Sequence, residues 1–268
     1  MITVIPRGGL CNRLRVVASS LEFAGACRQP LQVVWYRSRD MNARFDVLFE
    51  IREVPFGLIE RNGMIPALRV LRDRSRAVLA GLRGAVVLGD RETQPGIFRL
   101  NDIVARVGNR DVLVETNSCL AHVPGMFDVF RPTAPVTDRI ATLLPRLRRS
   151  VGVHIRRTDN VRATLVSTLD AFAALMLAEC GHDDDVEFFV ATDDGAVFRQ
   201  LRRDFGPRVW EYPKRAYRRD DPAGIVDALI DLLALASCRK VIGSHWSSFT
   251  DTAAEWGNVP LQIAGIEA

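Results

Sequence analysis

The sequence predicts an α/β protein built from two parallel-sheet domains, residues 1–134 and 135–268. Three observations carry this. Short apolar runs alternate with helix-period stretches along most of the 268 residues. Each half opens on a strand followed by a short turn that is polar or contains glycine. The apolar fraction of 48% over that length suffices for one or two well-buried cores.

Taken in order, Ile2 to Ile5 reads as a strand, Asn12 to Cys27 as a helix and Leu31 to Tyr36 as a strand, together a βαβ unit. The turn between its first two elements is Pro6-Arg7-Gly8-Gly9-Leu10. Ile59 to Leu82, rich in arginine and leucine, is expected to be helical and half exposed. Ala85 to Leu88 and Val112 to Glu115 are further strands, and Pro135 to Leu147 is a helix between the halves. The second series starts with a strand at Val151 to Ile155. Thr168 to Glu179 follows as a helix, its start having the Ser167-x-x-Asp170 form of a capping box. Strands at Val186 to Thr192, Arg208 to Glu211, Lys240 to Gly243 and Leu261 to Ala264 alternate with helices at Gly195 to Phe205, Ala223 to Ala236 and Phe249 to Trp256.

Composition narrows the function. Disorder and collagen-like architecture are excluded. The net charge is +4, yet Lys214 and Lys240 are the only lysines, and the arginines are spread among 32 acids with only 7% aromatics. That is no basic stripe for nucleic acid. The longest apolar stretch, Gly224 to Ala236, is interrupted by Asp227 and Asp231, so no membrane span is expected, while contact with a membrane surface stays open. The first residues lack a basic region and cleavage site and read as a strand, which points to the cytoplasm. Five widely spaced cysteines without a CxxC pair argue against a disulfide framework or a zinc site.

In open α/β sheets ligands bind beyond the carboxyl ends of the strands, so the residues after each apolar run are the informative ones. Four such places stand out. In Val151-Gly152-Val153-His154-Ile155-Arg156-Arg157-Thr158-Asp159, alternation sends His154 and Arg156 to the same face. An arginine fork there suits a diphosphate, or else pairs structurally with Asp159. The turn Gly8-Gly9-Leu10-Cys11-Asn12-Arg13 leads into a helix and presents N–H groups to an anion, but it is neither a Walker loop nor GxGxxG. In Thr192-Asp193-Asp194 a carboxylate can accept from guanine or bind a divalent ion, and one of the two acids is expected to cap the next helix. Ser244-His245-Trp246-Ser247-Ser248-Phe249 offers hydroxyls and N–H groups at a helix start, with His245 and Trp246 facing an acceptor or filling the core.

These residues together resemble the superfamily of α1,2-, α1,6- and protein O-fucosyltransferases. Gly8-Gly9-Leu10-x-Asn12-Arg13-Leu14, the HxRRxD-like His154-Ile155-Arg156-Arg157-Thr158-Asp159, Ala191-Thr192-Asp193-Asp194, and the block from Ala228 to Ser247-Ser248-Phe249 match in order and spacing. The Thr158 form is similar to the α1,6 and nodulation group. The resemblance implies the GT-B fold of two facing Rossmann-like domains and a metal-independent, inverting transfer from GDP-fucose or a related GDP-sugar, with no cofactor. It implies that Arg156 holds the β-phosphate, that His154 and Asp193 or Asp194 read guanine, that Ser247, Ser248 and Phe249 line the diphosphate with Arg157 nearby, and that Gly9, Asn12 and Arg13 close over the donor.

The sequence departs from that pattern where the α1,6 enzymes carry a lysine and a glutamate. Asn160 and Thr164 stand there, leaving Asp159 as the candidate base, and Cys11 replaces the usual second glycine of the turn. A bacterial glycan or glycolipid is the expected acceptor, in polysaccharide or glycoconjugate assembly. Two alternatives stay open: a GT-B transferase with another nucleotide-sugar donor, and a catalytically silent GDP-sugar-binding or scaffold protein.

Overall fold

A computed structural model describes residues 1–62, 78–94, 98–158, 161–216 and 218–266, without the side chains of 162 and 163. The chain divides into two compact units. One comprises Met1–Thr133 with Arg218–Val226, the other Ala134–Tyr217 with Asp227–Ala268.

The first unit holds a five-stranded parallel sheet of β1 (Ile2–Pro6), β2 (Leu31–Arg37), β3 (Gly57–Asn62), β4 (Val86–Leu88) and β5 (Val112–Thr116), in the order β3-β2-β1-β5-β4. Among the described residues, helix α1 (Leu10–Ala26) follows β1, and α2 (Phe45–Leu48) and α3 (Leu100–Val107) come later in the unit. Strand β3 corrects the helical expectation for residues 59–62. Gln32 to Arg37 of β2 pair with Gly57 to Asn62, and a parallel ladder overrides the local arginine and leucine bias. Residues 78–82 are helical as expected, and 63–77 lie outside the described residues. An aromatic cluster of Trp35, Phe45, Phe49, Phe56 and Phe130, with ring centroids 5.1 to 6.4 Å apart, anchors α2.

The second unit begins at helix α4 (Ala134–Leu147), which leads to β6 (Val151–Ile155). Helices α5 (Val161–Val166) and α6 (Leu169–His182) lead to β7 (Phe188–Thr192). Helix α7 (Gly195–Phe205) leads to β8 (Val209–Trp210), α8 (Pro222–Ala236) to β9 (Lys240–Gly243), and α9 (Ser248–Gly257) to β10 (Leu261–Ile263). The sheet order β8-β7-β6-β9-β10 is all parallel, and the strand sequence reverses direction between β6 and β9. Val151, Val153 and Ile155 join one core with Phe172, Met176, Phe188 and Val190. On the other face a side chain at Gly152 would stand 2.9 Å from a Leu235 methyl, so glycine lets α8 lie close against β6.

The cap of α6 differs from expectation by one residue. Thr168, not Ser167, accepts from the Ala171 N–H, at 3.2 Å. The Ser167 hydroxyl is directed into the sheet end, donating to the Ala264 carbonyl at 2.7 Å and accepting from the His245 N–H at 2.8 Å.

Two glycines make opposite predictions. A Cβ at Gly257 would stand 2.0 Å from the Ala236 carbonyl oxygen, whereas one at Gly25 meets nothing within 4 Å. Gly257→Ala should cost about 1–3 kcal/mol in urea unfolding, while Gly25→Ala, inside α1, should gain about 0.4–1 kcal/mol.

Candidate functional site

The reversal between β6 and β9 is where an open α/β sheet leaves a crevice beyond its strand ends. The register pairs His154 with Gly243, so Arg156 and Ser244 emerge side by side. The buried Ser244 hydroxyl donates to the His154 carbonyl at 3.2 Å and accepts from the Arg156 N–H at 2.9 Å. One hydroxyl therefore ties the two strand ends together and sets where the Arg156 backbone leaves the sheet.

Asp193, at the end of β7, fixes the same loop from the other side. Its Oδ1 accepts from the Arg157 N–H at 2.8 Å, and its Oδ2 accepts from the Thr158 hydroxyl at 2.7 Å and the Thr158 N–H at 3.3 Å. The Arg156 Nε lies 3.6 Å from Oδ2, with both side chains mostly buried. Asp193 thus uses its oxygens inside the loop. Asp194 caps α7, accepting from the Ala196 N–H at 2.8 Å. Both acids accept from main-chain N–H groups, and Asp194 is the one of the pair that caps the next helix, as expected of one of them.

His154 is likewise engaged within the unit. Its Nδ1 lies 2.7 Å from the Thr250 hydroxyl, and its ring stacks on Phe249 at 4.7 Å with 20° between planes. A Cβ at Gly243 would fall 2.0 Å from a Thr250 methyl, so the start of α9 reaches His154 only because position 243 is glycine. Burial drives the His154 pKa well below its ordinary value. The Arg156 charge adds to the shift, Asp193 opposes it, and Lys214 adds further. His154 is therefore a neutral pillar under Phe249.

At the start of α9, Ser247 occupies the cap position without using its hydroxyl as a cap. It is 4% exposed, and its carbonyl accepts from the Asp251 N–H at 3.1 Å. Ser248 is the first helical residue. A helix start supplies N–H groups without intrahelical partners, so this turn presents donors beside Arg156.

Behind the β7 end lies a buried cation that the sequence reading did not single out. The Lys214 ammonium, 3% exposed, is 3.0 Å from Asp231 and 3.6 Å from Glu211, and donates to the Thr192 carbonyl at 3.4 Å. Burial pushes the Asp231 carboxyl up to about 6 against the pull of Lys214. Asp227, one helical turn earlier, accepts from the N–H groups of Arg215 and Ala216 at 2.6 and 3.1 Å. The signal was present: Lys214 is one of two lysines in an arginine-dominated chain.

In the first unit, Gly8 has φ +78°, a conformation that favours glycine, and a side chain there would strike the Asn12 amide at 2.7 Å. Gly9 is extended and takes the cap position of α1, and Cys11 is buried. Arg13 is held from several sides. It is 1% exposed, donates through Nε to the Gly8 carbonyl at 2.8 Å and through its other nitrogens to the Tyr36 carbonyl and the Ser38 hydroxyl, and lies over the Trp35 ring at 5.2 Å. It is a strut that holds the glycine turn. Asp159 and Asn160 lie outside the described residues, and Thr164 contributes its carbonyl to Arg157, 3.4 Å away.

Solved structures share this arrangement of strands and helices. NodZ α1,6-fucosyltransferase soaked with GDP-fucose aligns over 97% of this chain and 93% of its own at 22% identity and a TM-score of 0.63. POFUT1 in its apo form aligns over 99% and 98% at 11% identity and a TM-score of 0.57. The chain has the fold of these fucosyltransferases. NodZ from Bradyrhizobium gives the same result, with 21% identity over 94% of this chain and 91% of that one and a TM-score of 0.59. No protein-family model matches the sequence, and no curated protein matches it. Among the described residues of this fucosyltransferase-like fold, no helix is long and apolar enough to cross a membrane, and no group of three or more His, Cys, Asp or Glu side chains is placed to hold a metal ion.

The state of His154 is testable. With its pKa depressed on folding, the unfolded chain takes up a proton below about pH 6.5 that the folded chain refuses, so this residue costs stability as pH falls. Asp231, raised on folding, runs the other way between about 6 and its unfolded value near 3.8, so the difference between proteins isolates His154. From pH 7.5 to 5, wild type should lose about 2 kcal/mol relative to His154→Gln in chemical denaturation.

Proposed function

We propose that the second unit binds the diphosphate of a GDP-sugar, and that the protein is a metal-independent, inverting glycosyltransferase transferring fucose from GDP-fucose to a bacterial glycan or glycoconjugate. The observation that supports this best is the convergence at the β6/β9 reversal. Arg156, fixed through its backbone by Ser244 and faced by Asp193, stands beside the start of α9 with Ser247 and Ser248, on a fold shared with a fucosyltransferase soaked with GDP-fucose.

Transfer breaks the bond between the sugar C1 and the β-phosphate oxygen while an acceptor hydroxyl attacks C1 from the opposite side, which inverts the centre. Negative charge grows on the leaving diphosphate. A guanidinium that is already oriented, together with helix-start N–H groups, stabilises that charge without reorganising. This is the work a divalent ion does in other transferases, and it is the ground for reading the reaction as metal-independent. The acceptor proton is assigned to Asp159, three residues beyond Arg156. Such a protein would work in polysaccharide or glycoconjugate assembly in the cytoplasm.

The engagement of Asp193, Asp194 and His154 favours a second reading in which the same cradle takes a sugar nucleotide with a base other than guanine. A calorimetric panel of GDP, UDP and ADP separates the two.

Arg156→Ala should weaken GDP binding at least about tenfold, the loss of one charge-assisted contact, with the unfolding midpoint little changed. Unaltered GDP affinity would refute the assignment. Transfer should persist in EDTA, and a strict requirement for added Mn²⁺ would contradict the metal-free reading.

A further inference from the structure

Between the two anchors of the diphosphate cradle stands a residue in an unfavourable conformation. Trp246 has φ +52°, a left-handed backbone that glycine adopts freely and a bulky aromatic does not. Its neighbours leave the chain little choice. Ser244 is tied to β6 through its hydroxyl, the His245 N–H donates to the buried Ser167 hydroxyl at 2.8 Å, and Ser247 is buried at the head of α9. The chain must turn sharply at one residue. A glycine would make that turn without strain, yet tryptophan occupies it and projects a ring that is 65% exposed. The His245 ring flanks it at 5.9 Å, tilted by 58°.

An exposed indole on this turn offers a large flat apolar surface that a ligand can use. Trp246 is two residues from Ser244, the group that positions Arg156, and Arg156 is assigned to the phosphate that carries the sugar. A pyranose presents on one face a patch of C–H bonds with partial positive charge, which complements the negative face of an indole. We propose that Trp246 is the platform on which the sugar of the nucleotide-sugar donor stacks, a specificity residue of the site. This rests on the nucleotide-sugar reading above and assigns that reading's sugar subsite.

The test compares binding of GDP and GDP-fucose by calorimetry in wild type, Trp246→Ala and Trp246→Gly, with thermal melts of all three. Wild type should bind GDP-fucose more tightly than GDP. Trp246→Ala should leave the GDP dissociation constant within twofold and weaken GDP-fucose by about threefold to tenfold, the scale of one aromatic stacking contact. Trp246→Gly should lose the same preference while melting no lower than wild type, since glycine relieves the positive φ, so the loss cannot be laid to unfolding. Equal weakening of GDP and GDP-fucose would reassign the ring to the base or diphosphate and overturn the proposal. An unchanged preference for GDP-fucose in both variants would overturn it too, with the nucleotide site intact. Failure of wild type to bind either ligand would instead defeat the nucleotide reading, and the sugar platform with it.

Discussion

A single carboxylate organises the end of the second sheet. Asp193 receives the Arg157 and Thr158 N–H groups and the Thr158 hydroxyl, and it faces Arg156 across 3.6 Å. These contacts fix residues 156–158 after β6, and they give the Arg156 guanidinium a counter-charge on one flank. Ser244 supplies the matching constraint from β9. Parallel sheets make such a device available because every strand ends on the same side, and the order reversal between β6 and β9 leaves room beside it.

Around that carboxylate several buried polar groups of the unit face one another. His154 meets Thr250, Ser167 joins the Ala264 carbonyl to the His245 N–H, and Lys214 faces Asp231 and Glu211. Pairing of this kind is costly to leave half made. It therefore fixes backbone positions more sharply than apolar packing does, and a site that stabilises developing charge requires fixed positions.

Much of the architecture was legible in the sequence because parallel strands buried on both faces read as unbroken apolar runs, as in Val112 to Val114 and Phe188 to Ala191. Strand β3 was not, since Gly57-Leu58-Ile59-Glu60-Arg61-Asn62 sits at a sheet edge and carries charges that blend into the arginine-rich stretch after it. The α6 cap slipped because Ser167 and Thr168 are adjacent hydroxyls with the same local chemistry, and a tertiary partner at Ala264 decided between them. The candidate site shows the same division. Spacing located Arg156, Asp193 and the Ser244–Phe249 turn, but not which polar groups were already satisfied. Arg13, His154 and Asp193 look like ligand-binding residues by type, and the folded contacts add that each has a hydrogen-bond partner within its own unit. Thr250 carries no motif and only the folded contacts reveal it, while Lys214 is marked in the sequence only by the rarity of lysine.

The central claim is that a diphosphate is held at the β6/β9 reversal by Arg156 and the start of α9. Hydrogen exchange read by mass spectrometry, with and without saturating GDP, addresses it most directly. The account predicts that GDP slows exchange chiefly in the peptides covering residues 155–158 and 244–250. Protection concentrated elsewhere in the second unit, or none at saturating GDP, would contradict it.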